Sequence, residues 1–323
     1  MSHTSTCPPA SDTPIASPAF KDLVANDLRQ IRQALNQSDL DKAVIFQTSL
    51  TRSLRHLVFD WACLFASLWA VMQWGWWAVP VALFVIGNRQ RALGNVLHDL
   101  AHRNVSRRVQ ANDFIAHALV APLLYADFEQ YRKTHLAHHM NLGDPQLDPD
   151  YMESAGTNRN CWRETFRANL INPGLWGNTL AGDFAKPLAT GKLLYIVLWW
   201  SGLLACIALT SDWQTAGVFL ALWMGARATV FFLITLFREM CDHFGRTSGG
   251  VFQFSRDITA SGVLRYIIHP HNNGYHLTHH LLPTVPYYHL PVTHKALLKL
   301  PEFQQQACIC TSYLFGKKSV VGY

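Results

Sequence analysis

The sequence predicts an all-α integral membrane protein with about four transmembrane helices in two hairpins. Three observations carry this. Only 15% of the 323 residues are charged and 50% are hydrophobic, where an ordinary soluble domain carries about 25% charge, so much of the surface is expected to face lipid. Two long apolar runs, Leu193–Thr210 and Trp213–Leu236, are separated only by Ser211–Asp212 and read as a helical hairpin. Lys and Arg are absent from that turn and from Trp74–Trp77, yet they fill the other connections (Arg52, Arg55, Arg103, Arg107, Arg108, Arg132, Lys133, Arg238, Arg246). By the positive-inside rule both termini and the long loops are cytoplasmic.

Residues 1–20 are polar and rich in Ser, Thr and Pro, with no basic-then-apolar leader, and are expected to be a disordered cytosolic tail. Residues 21–56 read as a soluble amphipathic helical segment, with Leu23, Leu28, Ile31 and Leu35 at helical spacing and a break at Asn36–Asp41. A catalytic membrane domain follows over 57–300, and 301–323 form a C-terminal cytosolic tail. The first span is expected at Leu57–Gln73. The second starts at Ala78, is apolar to about Gly87, and continues as a more polar helix to His102. Phe114–Tyr125, broken by Pro122, is too short for a span and reads as interfacial or re-entrant. Residues 129–191 read as polar and loop-rich. Arg227 is a charge inside the last span, facing the bundle interior or snorkelling.

Eleven Trp, several at the ends of apolar runs (Trp74, Trp76, Trp77, Trp199, Trp200, Trp213), fit the aromatic belt of a bilayer. The net charge of +6 lies in loops beside apolar runs, so it reads as orientation toward anionic headgroups, with no nucleic-acid platform. Seven cysteines in no zinc-type pairing exclude a disulfide framework.

Sixteen histidines fall mostly into four clusters. His98 and His102 stand at i, i+4, on one helix face. His135-Leu-Ala-His138-His139 and His276-Leu-Thr-His279-His280 repeat one HxxHH pattern, and Glu239-Met-Cys-Asp-His243 closes the last span. Each cluster lies just beyond a proposed span or in a connected loop, so the two hairpins can bring them to one place. Neutral imidazole suits Zn, Cu, Fe and Ni. Nine candidate ligands exceed one zinc site, which takes about four, and fit two ions with open positions. There is no HExxH, which argues against a zinc protease. A metal transporter is the rival from another class. It would place ligands near the bilayer midplane, whereas these histidines lie beyond the span ends.

With HxxxH, HxxHH and a C-terminal HxxHH in order, the chain resembles the membrane fatty acid desaturase superfamily over roughly residues 57–295. The step from His102 to His135 resembles that family's usual gap, and His276–Pro291, HLTHHLLPTVPYYHLP, resembles its third box and following turn. The resemblance implies a cytosolic helical cap carrying a histidine-rich di-iron site, in a bacterial inner membrane. It implies two iron ions held by His98, His102, His135, His138, His139, His243, His276, His279 and His280, with O2 as co-substrate. Glu239, one helical turn before His243, stands where acyl-CoA desaturases have Asn, and reads as a ligand, an outer acceptor or a proton carrier. His271 reads as an extra ligand or an outer group. Asp144, Asp148 and Asp150 follow the second box and are candidates for orienting its imidazoles or for forming a loop turn. His3, His56, His117, His289 and His294 read as structural or solvated.

The implied activity is O2-dependent oxidation of an aliphatic chain, with desaturation of a fatty acyl substrate as the first reading. Hydroxylation, oxidative decarboxylation to a terminal alkene, and desaturation of a small amino-acid-derived metabolite stand as alternatives. His269-Pro270 is followed by His271-Asn272 rather than by the Gly-Gly of a fused haem domain, and no CxxC pair is present. The expected electron donor is therefore a separate ferredoxin, rubredoxin or cytochrome-type protein, with Arg107, Arg108, Arg132 and Lys133 as a docking or lipid-facing patch.

Overall fold

The structure, a computed structural model, describes residues 17–38, 41–151, 161–177, 179–180 and 188–322. The described chain is mostly helical and divides into two compact units: 48–132 with 168–237, and the described parts of 1–47, 133–167 and 238–323. Among the described residues, three helical stretches are long and apolar enough to cross a membrane: Lys42–Ala101, Leu193–Thr210 and Trp213–Asp242.

In the first unit, the helix Leu50–Trp74 starts at Ser49, whose hydroxyl accepts from Arg52 N at 3.3 Å. Its 25 residues give a length of about 37 Å, enough for a bilayer core of about 30 Å. It stops at Gly75, whose φ of +62° only glycine adopts readily. After the Gly75–Ala78 turn, Pro80 sits in the first turn of Val79–Ala101, where its missing N–H costs nothing. The two helices are tied by a buried ion pair, Asp60 Oδ1 to Arg89 Nη1 at 2.8 Å. Asp60 lies inside the expected first span, a charge the sequence reading passed over.

Leu193–Thr210 and Trp213–Ala226 form the second pair around Ser211–Asp212, with the Asp212 carboxylate accepting from Thr215 N at 2.7 Å. The second helix runs on through a wide turn, Arg227–Phe231, into Phe232–Asp242. Arg227 is buried there, its guanidinium 5.4 Å from the Tyr125 ring centre and 4.8 Å from that of Phe231.

Gly87 lets this wide turn approach. A Cβ at Gly87 would stand 2.7 Å from Val230 Cβ and 2.9 Å from Phe231 N. Gly87→Ala is expected to cost about 1–3 kcal/mol by overpacking, read as a lowered melting temperature in detergent. An unchanged melt would mean the approach is not tight.

The short apolar stretch 114–125 is a helical turn, Val109–Ile115, widening at Ala116–Val120 and then breaking. Its irregular backbone is satisfied by indoles: Trp199 Nε1 donates to Ala118 O at 2.8 Å and Trp200 Nε1 to Pro122 O at 3.0 Å. Trp200, expected at the lipid interface, is instead a buried donor. Irregular backbone at an apolar level needs such protein partners. Apolar side chains are exposed elsewhere along these helices, among them Trp69, Leu194, Leu198, Leu209 and Trp213.

In the second unit, the helix Ser17–Gln37 buries Val24, Ile31 and Leu35, and Asp27 accepts from Phe252 N at 3.3 Å. This helix takes in the last four residues of the expected tail, whose remainder lies outside the described residues. The expected 21–56 segment is not one element, since residues 50–56 are already the first turns of Leu50–Trp74. The described parts of 129–191 carry helices that their polarity did not announce. The second histidine box lies on the helix Phe128–Met140, whose first free amides, Glu129 N and Gln130 N, donate to Asp127 Oδ1 at 3.1 and 3.4 Å. The end of the chain carries a helix, Pro301–Gln306, and a strand, Ile309–Cys310, paired in parallel with Asp257–Ile258.

Candidate metal centre

Within the second unit, four buried histidines converge. His138 comes from the Phe128–Met140 helix, His243 from the end of Phe232–Asp242, and His276 and His280 from the short helix His276–Leu281. One ligand atom from each lies within 4.8 Å of the others. Nε2 of His276 stands 2.8 Å from that of His243 and 3.0 Å from that of His280.

The opposite ring nitrogens decide what these contacts mean. His138 Nδ1 lies 2.7 Å from Asp148 Oδ1, and His243 Nδ1 lies 3.0 Å from Phe254 O. A carboxylate and a carbonyl only accept, so both Nδ1 atoms carry the proton and both Nε2 atoms present bare lone pairs inward. Nδ1 of His276 and of His280 has no hydrogen-bond partner among the described residues, so four buried imidazoles converge here with the bare Nε2 atoms of His138 and His243 fixed by their surroundings. The donor set, neutral imidazole alone, fits a borderline metal ion such as iron.

The surroundings enforce this tautomer. Asp148 is itself held by Gly143 N on Oδ2 and Asp150 N on Oδ1, both at 2.9 Å. Gly143, at φ +77°, packs so closely that a Cβ would stand 2.9 Å from Phe254 Cγ. Of the three candidate aspartates after the second box, Asp148 is the one on an imidazole. Asp144 instead accepts from Gln146 N and Leu147 N, a turn role.

Burial sets the electrostatics. It pulls the His243 pKa down to about 4, with His138 adding to the effect, and it holds His276 and His280 well below the ordinary histidine value. The metal-free folded chain therefore binds fewer protons than the unfolded chain between about pH 4 and pH 6.5, where stability rises with pH. The metal-free protein is expected to melt at a lower temperature at pH 5 than at pH 7.5. Equal melting temperatures would contradict burial of His243, His276 and His280 in the neutral form.

A second group in the same unit comprises His135, His139 and His279, again with one nitrogen from each within 4.8 Å of the others. Nε2 of His139 lies 3.1 Å from Nε2 of both His135 and His279. His98 and His102 belong to the other unit. They sit at the end of Val79–Ala101 with ring centres 5.1 Å apart, as their i, i+4 spacing requires.

Glu239 and His271 stand outside these groups. Glu239 is exposed on its helix. His271 is half-buried at φ +55°, its ring 4.9 Å from that of Tyr287. The carboxylates that enter the centre's surroundings are others. Asp242, one residue before His243, lies with Oδ2 3.8 Å from His276 Nδ1. Asp257 accepts from Thr278 N at 2.9 Å and from the Thr278 hydroxyl at 2.5 Å, and meets His294 Nδ1 at 2.6 Å. It thereby pins the third histidine box. His294 is thus buried and structural. The sequence signal for Asp242 was an acid next to a candidate ligand at the end of an apolar run; Asp257 and His294 carried none.

Residues 32–312 match the family model described as fatty acid desaturase. The chain is 26% identical over 276 residues to a dihydrorhizobitoxine desaturase of Bradyrhizobium elkanii, covering 78% of this chain and 77% of that one. It is 24% identical over 318 residues to an endoplasmic-reticulum omega-3 fatty acid desaturase of Vigna radiata var. radiata, covering 86% and 77%. Over a shorter stretch of 111 residues it is 30% identical to an sn-1 acyl-lipid omega-3 desaturase (ferredoxin) of Nostoc sp., covering 34% and 30%.

Proposed function

The chain belongs to the fatty acid desaturase family, a family of oxidoreductases, and from that premise we propose an O2-dependent di-iron oxidation of an aliphatic chain, namely desaturation of a fatty acyl substrate. The observation that carries it is the quartet of buried histidines with one ligand atom from each within 4.8 Å of the others, two of which, His138 and His243, are held with a bare Nε2 by Nδ1 partners that only accept. His138, His243, His276 and His280 hold one iron. His135, His139 and His279 contribute to holding the second, to which the resemblance in sequence also assigns His98 and His102. A bound iron pair supplies the dioxygen chemistry and the oxidising strength that no side chain offers against an unactivated C–H bond. The protein fixes imidazole orientation through Asp148 and the Phe254 carbonyl, and burial of the quartet keeps bulk water from it.

We assign four spans in two hairpins, with termini, helical cap and metal site on the cytoplasmic side of a bacterial inner membrane. The turns at Gly75–Ala78 and Ser211–Asp212, free of Lys and Arg, support this arrangement. Electrons come from a separate donor of ferredoxin, rubredoxin or cytochrome type. The printed name of the Nostoc relative, which includes ferredoxin, favours the first. Glu239 is proposed as an outer acceptor or proton carrier and His271 as an outer group; neither is assigned to a ligand position. The Bradyrhizobium relative, named for dihydrorhizobitoxine rather than for a fatty acyl lipid, favours a second reading with a small amino-acid-derived substrate.

Expression in a bacterial host with a ferredoxin and its reductase, followed by mass spectrometry of lipids, metabolites and headspace, tests the substrate. New unsaturated acyl chains, absent with His138→Ala, are expected. An unsaturated small metabolite supports the second reading. Hydroxylated chains or terminal alkenes reject desaturation as the outcome.

A further inference from the structure

The C-terminal strand leads into a buried polar chain that ends at the centre. Ile309–Cys310 is fixed beside Asp257–Ile258 by Asp257 N to Cys308 O at 2.9 Å and Thr259 N to Cys310 O at 2.8 Å. Tyr313 follows, its carbonyl accepting from Val321 N at 3.1 Å. Its ring stacks on His269 with centres 5.6 Å apart, and its hydroxyl lies 2.8 Å from His269 Nδ1. The other nitrogen, Nε2, lies 3.1 Å from Asp242 Oδ1. Tyr313, His269 and Asp242 are all fully buried.

The direction of these bonds has one solution. Asp242 accepts, so His269 Nε2 carries the proton. His269 Nδ1 is then bare and accepts from the Tyr313 hydroxyl. Burial pushes the Tyr313 pKa up, which keeps that hydroxyl a donor. Asp242 Oδ2 forms an ion pair with Arg238 Nε at 2.8 Å and faces His276 Nδ1 at 3.8 Å. His276 Nδ1 is buried with no hydrogen-bond partner among the described residues, and Asp242 Oδ2, already paired with Arg238, is an acceptor that faces it.

We propose that Tyr313, His269 and Asp242 form a positioning chain that sets the tautomer and aim of His276, making the C-terminal segment part of the metal centre. This rests on the reading of His276 as a ligand. His138 and His243 are locked by hydrogen bonds of 2.7 and 3.0 Å. His276 Nδ1 has no such bond among the described residues and faces the Asp242 carboxylate at 3.8 Å, so its aim depends on where Asp242 is held. Without the Tyr313 hydroxyl, His269 loses the 2.8 Å contact at Nδ1 that holds its ring from the far side, and the aim of its Nε2–H at Asp242 loosens. Tyr313 lies one residue beyond the stretch that matches the family, so this role comes from the chain's own geometry.

The test uses the full chain in detergent, loaded with Co(II) as probe, with release to a chelator and the cobalt absorption bands as readouts. Asp242→Asn is expected to release metal roughly 10–100-fold faster, in the range typical of groups that orient ligands. Tyr313→Phe, which removes one oxygen and leaves the packing, is expected to show a smaller, several-fold increase with shifted bands. Wild-type release and bands in both variants, with or without a lower melting temperature, would overturn the proposal. His276→Ala separates it from its premise. If that variant holds the full cobalt complement, the ligand reading has failed. If it loses metal while the other two variants behave as wild type, the positioning chain alone has failed.

Discussion

His138→Ala is expected to lose one metal ion per chain and to form product at least about 100-fold more slowly than wild type, since displacing groups that merely orient a ligand already costs 10–100-fold. The variant removes an inward-facing Nε2 and frees Asp148 from its shortest contact. Asp148 keeps its bonds from Gly143 N and Asp150 N, so the loop after the box should survive. Metal analysis and turnover on the same purified sample check this. A chain that keeps two metals and wild-type turnover would remove His138 from the centre.

Asp257→Ala is expected to destabilise the protein by about 3–5 kcal/mol, since it strands several buried donors at about 1–3 kcal/mol each. Asp257 is fully buried and holds Thr278 twice and His294 once. Thr278 lies between His276 and His279 in the third box. Losing the carboxylate therefore leaves a buried amide and a buried hydroxyl without their acceptor, and loosens the helix that carries three ligands. Thermal melting in detergent should show a large drop for Asp257→Ala and a smaller one for Asp257→Asn, which keeps an acceptor oxygen. Equal melts for wild type and Asp257→Ala would mean the third box is anchored elsewhere.

The histidine boxes were legible because their spacing is local. An i, i+3 or i, i+4 pair projects to one face whatever the rest of the chain does, and HxxHH written twice fixes which residues face the centre. The apolar helices were legible for the same reason, since length and composition act along the chain. What escaped was long-range. Asp257 meets His294 at 2.6 Å, yet the two are 37 positions apart. His269 meets Tyr313 across 44 positions. No periodicity reports such pairs, and an isolated Asp or Tyr in sequence reads as surface or turn. Asp60 was missed inside an apolar run because its partner, Arg89, lies 29 positions on. Glu239 misled in the other direction. One turn before His243 is the right spacing, but solvent reaches that face of the helix, while Asp242, in the next position but two, is buried. Trp199 and Trp200 were read from composition as interfacial, whereas their indoles serve the carbonyls of the broken segment near Pro122.

The central claim is that the histidine boxes hold two iron ions. Metal content of the full chain, purified from cells grown with added iron and counted by mass spectrometry against protein concentration, tests it most directly. The account predicts two iron ions per chain, with clear loss in His138→Ala. One ion per chain, zinc at full occupancy, or a wild-type count in His138→Ala would contradict it.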